Sequence, residues 1–326
     1  MKILIIRLSS IGDIVLTTPV LRCIKNQQAD ITIHYLLKKK FKEVLIHNPY
    51  IDTFHYYEDN LWSLLFQLKK EKFDYIIDLH NNIRSHIISF FLCKKTYRLN
   101  KQTIHKWRIV QFKDITNPIK HITKRYLDVV NPLGIIDDGG GLEFYFDQEN
   151  DKSAVIKNSF HPNYIVLVIG ALKKTKQLPT NKLLAICKHI SYPIVLIGGK
   201  AEKSIAEKIK IECGDKIYNT VGDYNILESA SIIKNAQLII TPDTGMMHIA
   251  AAFGKIIISI WGNTVPEFGM SPYLPNDKNH IIEVKKLACR PCSKIGYNEC
   301  PQGHFKCMND INIDTISAII KSVITG

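Results

Sequence analysis

The chain has 326 residues, more than one hydrophobic core usually serves, so its length favours two domains. That length also excludes a small disulfide-stapled module. Hydrophobic residues make up 46% of the chain and charged residues 22%, which excludes an intrinsically disordered chain. The 43 Lys and Arg against 30 Asp and Glu give a formal net charge of +13. This excess suits an anionic partner: a phosphorylated small molecule, a nucleic acid or an anionic membrane surface.

The beginning of the chain predicts its compartment. The apolar run before Arg7 is too short for the core of a signal peptide. No stretch approaches the roughly 18 to 20 apolar residues of a membrane span. We therefore expect a cytoplasmic protein.

Strands and helices alternate through the first half. The apolar run KILIIR predicts a strand, SSIGD a loop and IVLTTPVLRCIK a helix. Further strands are predicted at ITIHYLL, at residues 51–56 and at FDYIIDLH, with a helix over residues 61–70 before the last of them. This order is typical of a parallel sheet covered by helices on both faces.

A polar, glycine-rich stretch over residues 135–162 predicts the interdomain segment, which gives domains over residues 1–155 and 156–326. The second half then repeats the alternation, with strands at YIVLVIG, YPIVLIGG, AQLIIT and KIIISIWG. The predicted fold class is therefore α/β, with two doubly wound domains. In such sheets ligands bind outside the carboxyl ends of the strands, so the loops that follow the strands hold the candidate site residues.

The loop after the first strand contains Ser10, Gly12 and Asp13. It has one glycine where a dinucleotide-binding fingerprint needs three, so a nicotinamide or flavin site is not supported. Asp13, between a strand and a helix, could act as a general base. It could equally form a capping box with Ser10, and the spacing alone leaves both interpretations open.

The stretch AQLIITPDTGMMHIAAAFGK is the most informative one. A strand leads to Asp243, Thr244 and Gly245 at the start of a helix, where free backbone N–H groups can hold a phosphate. His248 lies one turn into that helix and could still reach a ligand. The alternative is an N-cap Asp243 with a buried structural histidine.

Two further loops of the second half carry charged candidates. Lys176 belongs to the basic loop ALKKTKQ, where lysines can neutralise a diphosphate or lie solvated. Glu202 opens a helix after IGGK and could bind ribose hydroxyls or complement the helix dipole.

Four cysteines near the C-terminal end form another candidate cluster. They could hold a structural zinc, with reduced thiols or a pair of disulfides as the alternatives. The four are Cys289, Cys292, Cys300 and Cys307.

In combination, these segments resemble the glycosyltransferase family that contains the ADP-heptose:lipopolysaccharide heptosyltransferases, glycosyltransferase family 9. The matching stretches are RLSSIGDIVLTTPVL, DYIIDLHNNIRS, GALKKTKQLP, IGGKAE and TPDTGMMHIAAAFGKIIISIWGNTVPEFG. The resemblance implies the GT-B fold, in which two Rossmann-like domains face each other across a cleft. The first would bind the acceptor and the second the nucleotide sugar.

The resemblance also implies an activity: inverting, metal-independent transfer of heptose from ADP-heptose to the lipopolysaccharide inner core, with lipid A–Kdo or a heptosyl group as acceptor. No cofactor would be required. Asp13 would be the catalytic base. The donor would be bound by Lys176, Glu202, Asp243, Thr244, Gly245 and His248. The acceptor would be bound by Ser10, Gly12, Arg84, Lys106, Arg108, Lys124 and Arg125.

The stretch from residue 101 to 126 is rich in basic and aromatic residues and would face a phosphorylated lipid acceptor or the membrane that holds it. The enzyme would then be peripheral, at the inner face of the inner membrane. One rival keeps the fold with another nucleotide sugar or acceptor. The other is a nonenzymatic module that binds nucleotides or nucleic acid, against which stands the absence of a recognised nucleic-acid motif.

Overall fold

A computed structural model describes residues 1–160, 164–273 and 279–325. The chain packs into two compact units. The first consists of Met1–Gln102 and Lys120–Tyr145, and the second of Thr103–Ile119 and Phe146–Gly326.

The first unit is built on a five-stranded parallel sheet in the order β3-β2-β1-β4-β5. Its strands are β1 (Lys2–Ile6), β2 (Thr32–Lys38), β3 (Thr53–Tyr57), β4 (Tyr75–Asp78) and β5 (Lys95–Arg98). Its α-helices are α1 (Ile11–Val15), α2 (Thr18–Gln27), α3 (Leu61–Lys70), α4 (Ile83–Leu92) and α6 (Ile122–Val130). Short 3₁₀ helices cover Lys39–Val44 and Asn131–Leu133.

Local sequence signals explain where two of these helices begin. The Asn60 side chain accepts a hydrogen bond from the backbone N–H of Ser63 at 3.0 Å and so caps α3. At α4, Asn82 and Ser85 cap each other reciprocally, both at 2.9 Å. The central strand β1 is apolar because helices cover the sheet on both faces, and its Ile3, Leu4, Ile5 and Ile6 are fully buried.

The second unit contains a six-stranded parallel sheet in the order β11-β10-β9-β6-β7-β8. Its strands are β6 (Ile165–Val168), β7 (Ile194–Ile197), β8 (Ile217–Asn219), β9 (Leu238–Pro242), β10 (Ile256–Trp261) and β11 (Asn279–Glu283). Its α-helices are α5 (Thr103–Phe112), α7 (Ser153–Ser159), α8 (Thr180–His189), α9 (Lys203–Cys213), α10 (Ile226–Asn235), α11 (Gly245–Ala252), α12 (Lys306–Asn309) and α13 (Ile313–Thr325). Short 3₁₀ helices cover Lys174–Lys176, Lys200–Glu202, Gly214–Lys216 and Pro266–Phe268.

Both sheets are doubly wound, as the sequence predicts. In the first, the chain runs outwards from β1 through β2 to β3 and then restarts at β4 beside β1. In the second, it runs from β6 through β7 to β8 and restarts at β9 beside β6. The order therefore reverses between β1 and β4 and again between β6 and β9. The loops that leave these strands are where a ligand of such a sheet binds.

The division between the units lies inside the predicted interdomain segment, residues 135–162, but before the predicted boundary at residue 155. The chain passes to the second unit after Tyr145, and a boundary after residue 155 falls inside α7. The second unit also includes Thr103–Ile119, which the sequence assigned to the first domain. The cause is packing: Ile109 and Ile119 cluster with Val265 and Phe268, and the Ile119 N–H donates to the Glu267 carbonyl at 2.8 Å.

Among the described residues, no helix is both long and apolar enough to cross a bilayer.

Candidate active site

The ends of β1 and β4 are joined by a buried arginine. Arg7 Nη1 donates to the Leu79 carbonyl at 2.7 Å, and its Nη2 lies 2.7 Å from Asp13 Oδ1. Burial lowers the pKa of Arg7, but the Asp13 carboxylate, together with the nearby Tyr126 and Tyr35, leaves that pKa above its usual value. Sequence analysis assigned Arg7 no role. The sequence feature that points to a role for Arg7 is its position: it is a charged residue at the end of an apolar, buried strand, where a cation needs an anionic partner.

Asp13 lies in the first turn of α1, and its carboxylate is surrounded by donors. Its Oδ2 accepts from the Ser10 hydroxyl at 2.8 Å and lies 3.3 Å from the Ser10 backbone nitrogen. The capping contact predicted for Asp13 is therefore present, with the ion pair to Arg7 in addition. The carboxylate still has about a quarter of its surface exposed. It is thus a fixed anion at the carboxyl edge of the sheet, and Ser10 and Gly12 lie beside it in sequence.

The loop after β4 is organised by Asp78, which is fully buried. Its Oδ1 accepts from the backbone N–H groups of His80 and Asn81 at 3.1 and 2.7 Å, and its Oδ2 accepts from the Ser85 hydroxyl at 2.7 Å. Burial, with the charge of Arg7, lowers the pKa of His80 to about 3, so its imidazole is neutral at pH 7. Sequence analysis quoted this DLHNN stretch but gave neither Asp78 nor His80 a role.

In the second unit, the predicted donor residues Lys176 and Asp243 form an ion pair. Lys176 Nζ lies 2.5 Å from Asp243 Oδ2, and the Thr264 hydroxyl donates to the same oxygen at 3.0 Å. The two side chains are 17% and 11% exposed. The pair joins the loop after β6 to the loop after β9, at the point where the strand order reverses. Thr264, from the W-G-N-T turn after β10, was missed by sequence analysis as a member of this group.

The helix start at α11 differs in detail from the alternative considered for Asp243. The N-cap residue is Thr244, in extended conformation, and Gly245 is the first helical residue. Asp243 does not cap the helix because its carboxylate is held by Lys176 and Thr264. The backbone N–H groups at the start of α11 therefore lie next in sequence to this ion pair. His248 is buried, 2% exposed, within α11.

Glu202 is buried, and its side chain packs against Gly170, Gly198 and Gly199. Its Oε2 accepts from the Gly199 backbone N–H at 2.9 Å, and its Oε1 accepts from Gln177 Nε2 at 3.0 Å. A Cβ at Gly170 would lie 2.9 Å from Glu202 Oε2, so only glycine fits there without a shift. Gln177 follows Lys176 directly, so Glu202 is connected to the lysine loop. Glu202 lies at the start of α9, where the predicted alternative places it to complement the helix dipole, and its binding of ribose stays a prediction.

The predicted acceptor residues are found in different environments. Arg84, on α4, is exposed, with its guanidinium 5.7 Å from the centre of the Tyr57 ring. Lys124 Nζ lies 2.6 Å from Asp137 Oδ2. Lys106 and Arg108 lie on α5, which belongs to the second unit.

Arg125 is not the exposed surface cation that the sequence suggested. It is 6% exposed, and burial lowers its pKa. Its Nη2 donates to the Asn100 carbonyl at 2.5 Å, whereas its Nε and Nη1 have no hydrogen-bond partner among the described residues. Two buried guanidinium nitrogens without an acceptor are costly, and an anionic ligand would satisfy their N–H groups.

The four C-terminal cysteines are free thiols, so the predicted alternative of two disulfides is not formed. Tetrahedral zinc needs sulfurs about 3.8 Å apart. Among the described residues, the groups of three ligand atoms within 4.8 Å of one another do not include these cysteines. Cys289 Sγ does lie 3.7 Å from His304 Nε2, so a zinc site at these cysteines stays a prediction. Burial and the neighbouring Cys289 raise the pKa of Cys292 to about 11, which keeps this thiol protonated.

Comparisons with known proteins identify relatives over most of the chain. The model of "Glycosyltransferase family 9 (heptosyltransferase)" matches residues 61–300. Lipopolysaccharide heptosyltransferase 1 of Campylobacter coli is 26% identical over 301 residues, covering 81% of this chain and 84% of that protein.

Two solved structures show the same fold. The family 9 glycosyl transferase of Veillonella parvula has a TM-score of 0.79 at 20% identity, covering 99% of this chain and 96% of that one. The E. coli ADP-heptose lps heptosyltransferase II has a TM-score of 0.74 at 17% identity, covering 99% of this chain and 98% of that one. The predicted fold class, GT-B with two Rossmann-like domains, is confirmed.

Proposed function

Since the chain belongs to glycosyltransferase family 9, the heptosyltransferase family, we propose that it transfers heptose from ADP-heptose to the inner core of lipopolysaccharide. The acceptor is lipid A–Kdo or a heptosyl group already attached to it. The observation that carries this proposal is the family match over residues 61–300 together with the Lys176–Asp243 pair at the reversal point of the second sheet. The names of the matched relatives supply the donor and the acceptor class.

The second unit binds the donor. When the diphosphate enters, the Lys176 ammonium exchanges part of its contact with Asp243 for phosphate oxygens and neutralises the departing charge. The N–H groups at Thr244 and Gly245 bind the same phosphates, as free N–H groups at a helix start do. Glu202 holds the ribose through its carboxylate, and His248 and Asp243 position the sugar.

The first unit activates the acceptor. Asp13 removes the proton from the acceptor hydroxyl as it attacks the anomeric carbon, and the configuration at that carbon inverts in a single displacement. A carboxylate next to a guanidinium is a weak base, so Asp13 acts as the bond forms, when the hydroxyl becomes acidic. The alternative role for the Asp13 carboxylate is to stabilise the positive charge that develops on the sugar.

Cationic residues of the first unit, with two from α5 of the second, bind the acceptor's negative groups. Arg125 offers its two unsatisfied nitrogens to a carboxylate or phosphate. Arg84 and Lys124 add charge nearer the surface, and Lys106 and Arg108 contribute from α5. The enzyme works at the cytoplasmic face of the inner membrane, as a peripheral protein, and without a metal ion.

The test is transfer with purified enzyme, ADP-heptose and a lipid A acceptor that carries Kdo, with the product identified by mass spectrometry. We expect heptosylated product that is insensitive to a chelator, with no product from UDP-glucose or GDP-mannose. Transfer from one of those sugars instead would support another donor on the same fold. Salt-sensitive binding to an oligonucleotide without any transfer would support the nonenzymatic alternative.

A further inference from the structure

Two neighbouring helices of the first unit carry large apolar side chains towards solvent. On α3, Trp62 is 67% exposed and Phe66 is 59% exposed. On α4, Ile83 is 80% exposed and Phe90 is 85% exposed. The helices touch through the rings of Phe66 and Phe91, whose centroids lie 5.8 Å apart in an edge-to-face arrangement. We call the exposed side chains the apolar face, which consists of Trp62, Phe66, Ile83, Ile87 and Phe90.

The apolar face is additional to the stripe that each helix buries in the core. On α3 the core stripe is Leu64, Leu65 and Leu68, and on α4 it includes Ile88 and Leu92. Both helices are therefore apolar on their exposed side as well as on their buried side. An exposed cluster of this kind marks an interaction surface, because scattered single apolar residues are normal but contiguous ones are not.

The charges around the apolar face identify its partner. Neither α3 nor α4 contains Asp or Glu. The Lys69 ammonium lies 4.9 Å from the centre of the Phe91 ring, at the border between charge and aromatic surface. Exposed aromatic residues framed by cations are typical of elements that lie in the interface of an anionic bilayer. The exposed cations on or next to the two helices are Lys69, Lys70, Lys72, Arg84, Lys94 and Lys95. The exposed acidic residues just before α3 are Asp59 and Glu58, and Glu58 is paired with Lys39.

These charges also argue against a second copy of the chain as the partner. Two identical faces would bring their lysines together without any acidic residue of α3 or α4 to pair with them. Like charges brought together in this way are repulsive.

We propose that the apolar face docks on an anionic lipid surface, with its aromatic side chains inserted among the headgroups and its cations on lipid phosphates. This docking extends the proposed function, and one of its consequences rests on that function. Since α4 begins just after the loop organised by Asp78, docking places the acceptor edge of the first sheet next to the membrane that holds a lipid-linked acceptor.

Tryptophan fluorescence tests the docking directly. The chain has three tryptophans, and Trp261 is fully buried. In a Trp107→Phe variant, an emission change on adding vesicles therefore reports Trp62. We expect a blue shift and quenching by brominated lipid with vesicles that contain phosphatidylglycerol, and little change with pure phosphatidylcholine. An unchanged Trp62 signal would overturn the proposal, as would a response confined to Trp107 in a Trp62→Phe variant.

Vesicle co-sedimentation of the full chain supplies the energetic test. Replacing Phe90 and Trp62 together by Ser should weaken binding to anionic vesicles by about tenfold or more, since each loses a buried aromatic contact. Lys69→Gln with Lys70→Gln should weaken it by about fivefold or more, and only on anionic lipid. The matched control is Ile211→Ser on α9, which removes an apolar side chain 81% exposed elsewhere and should bind as the parent does.

Two further readouts separate the possible failures. Transfer to a lipid-free, Kdo-containing oligosaccharide should be the same in the Phe90/Trp62 variant and the parent. If the parent transfers no heptose but binds vesicles through Trp62, the proposed function fails and the docking surface stands. If the Phe90/Trp62 variant binds vesicles as the parent does, the apolar face is inert and the proposal is wrong. If the variant has a different oligomeric state from the parent without lipid, the face is a protein interface and the proposal is equally wrong.

Discussion

Replacing Asp13 by Asn is the most informative single change, because it keeps the shape of the side chain and removes its charge. In the native protein the Asp13 carboxylate lies 2.7 Å from the buried Arg7 guanidinium and accepts from the Ser10 hydroxyl at 2.8 Å. As the proposed base it is worth about 10²–10⁴-fold in rate. We therefore expect kcat to fall by at least about 100-fold while the affinity for ADP changes less than about twofold.

The same substitution has a stability cost, which must be measured alongside activity. Removing one partner of a fully buried ion pair costs about 3–5 kcal/mol. Asp13 is partly exposed, and Arg7 keeps its bonds to the Leu79 and Ser9 carbonyls, so about 2 kcal/mol is expected here. For a domain of this size that lowers Tm by about 4–8 °C.

The assay combines steady-state transfer, ADP titration by calorimetry and thermal melting. Ser10→Ala is the control, since it removes a hydrogen bond to the carboxylate but leaves the charge, and should cost less than about tenfold in kcat. If Asp13→Asn melts near the expected temperature, binds ADP and still transfers heptose at the parent rate, the assignment of the base is refuted. A loss of ADP binding would instead mean that Asp13 contributes to the donor site.

Three more outcomes are expected. Lys176→Met should reduce kcat by about 100-fold, because the leaving diphosphate loses its cation, as single-turnover kinetics would show. Glu202→Gln should weaken ADP binding by about tenfold in calorimetry, since a carboxylate accepts more strongly from ribose hydroxyls than an amide does. Burial, then the charge of His34, lowers the pKa of His55 to about 4, so the unfolded chain binds more protons than the folded one below about pH 6.5. Stability should fall by about 2 kcal/mol between pH 6.5 and 4.5, and His55→Gln should flatten that slope in denaturant titrations.

Much of the fold follows from the sequence because its signals are local. The helical spacing of apolar residues and the Asn60 cap define α3, which is predicted and observed over residues 61–70. The apolar runs that become β1, β4, β6 and β9 are continuous because both sheet faces are covered, and their alternation with helices predicts parallel, doubly wound sheets. The polar residues that follow these strands lie at the carboxyl edge of each sheet, and their binding of a ligand stays a prediction.

Contacts between distant residues were decided only by the tertiary structure. Lys176 and Asp243 are 67 residues apart, and their contact depends on β6 pairing with β9 rather than on any local pattern. That contact also holds the Asp243 carboxylate away from the start of α11, where Thr244 occupies the N-cap position. Likewise, Arg125 has the sequence of a solvated cation but is buried, and Thr103–Ile119 joins the second unit through Val265 and Phe268. Local sequence signals determine where helices and strands form, because these elements depend on residues that are neighbours in sequence. The charge pairs and the burial of a cation depend on which strands become neighbours in space.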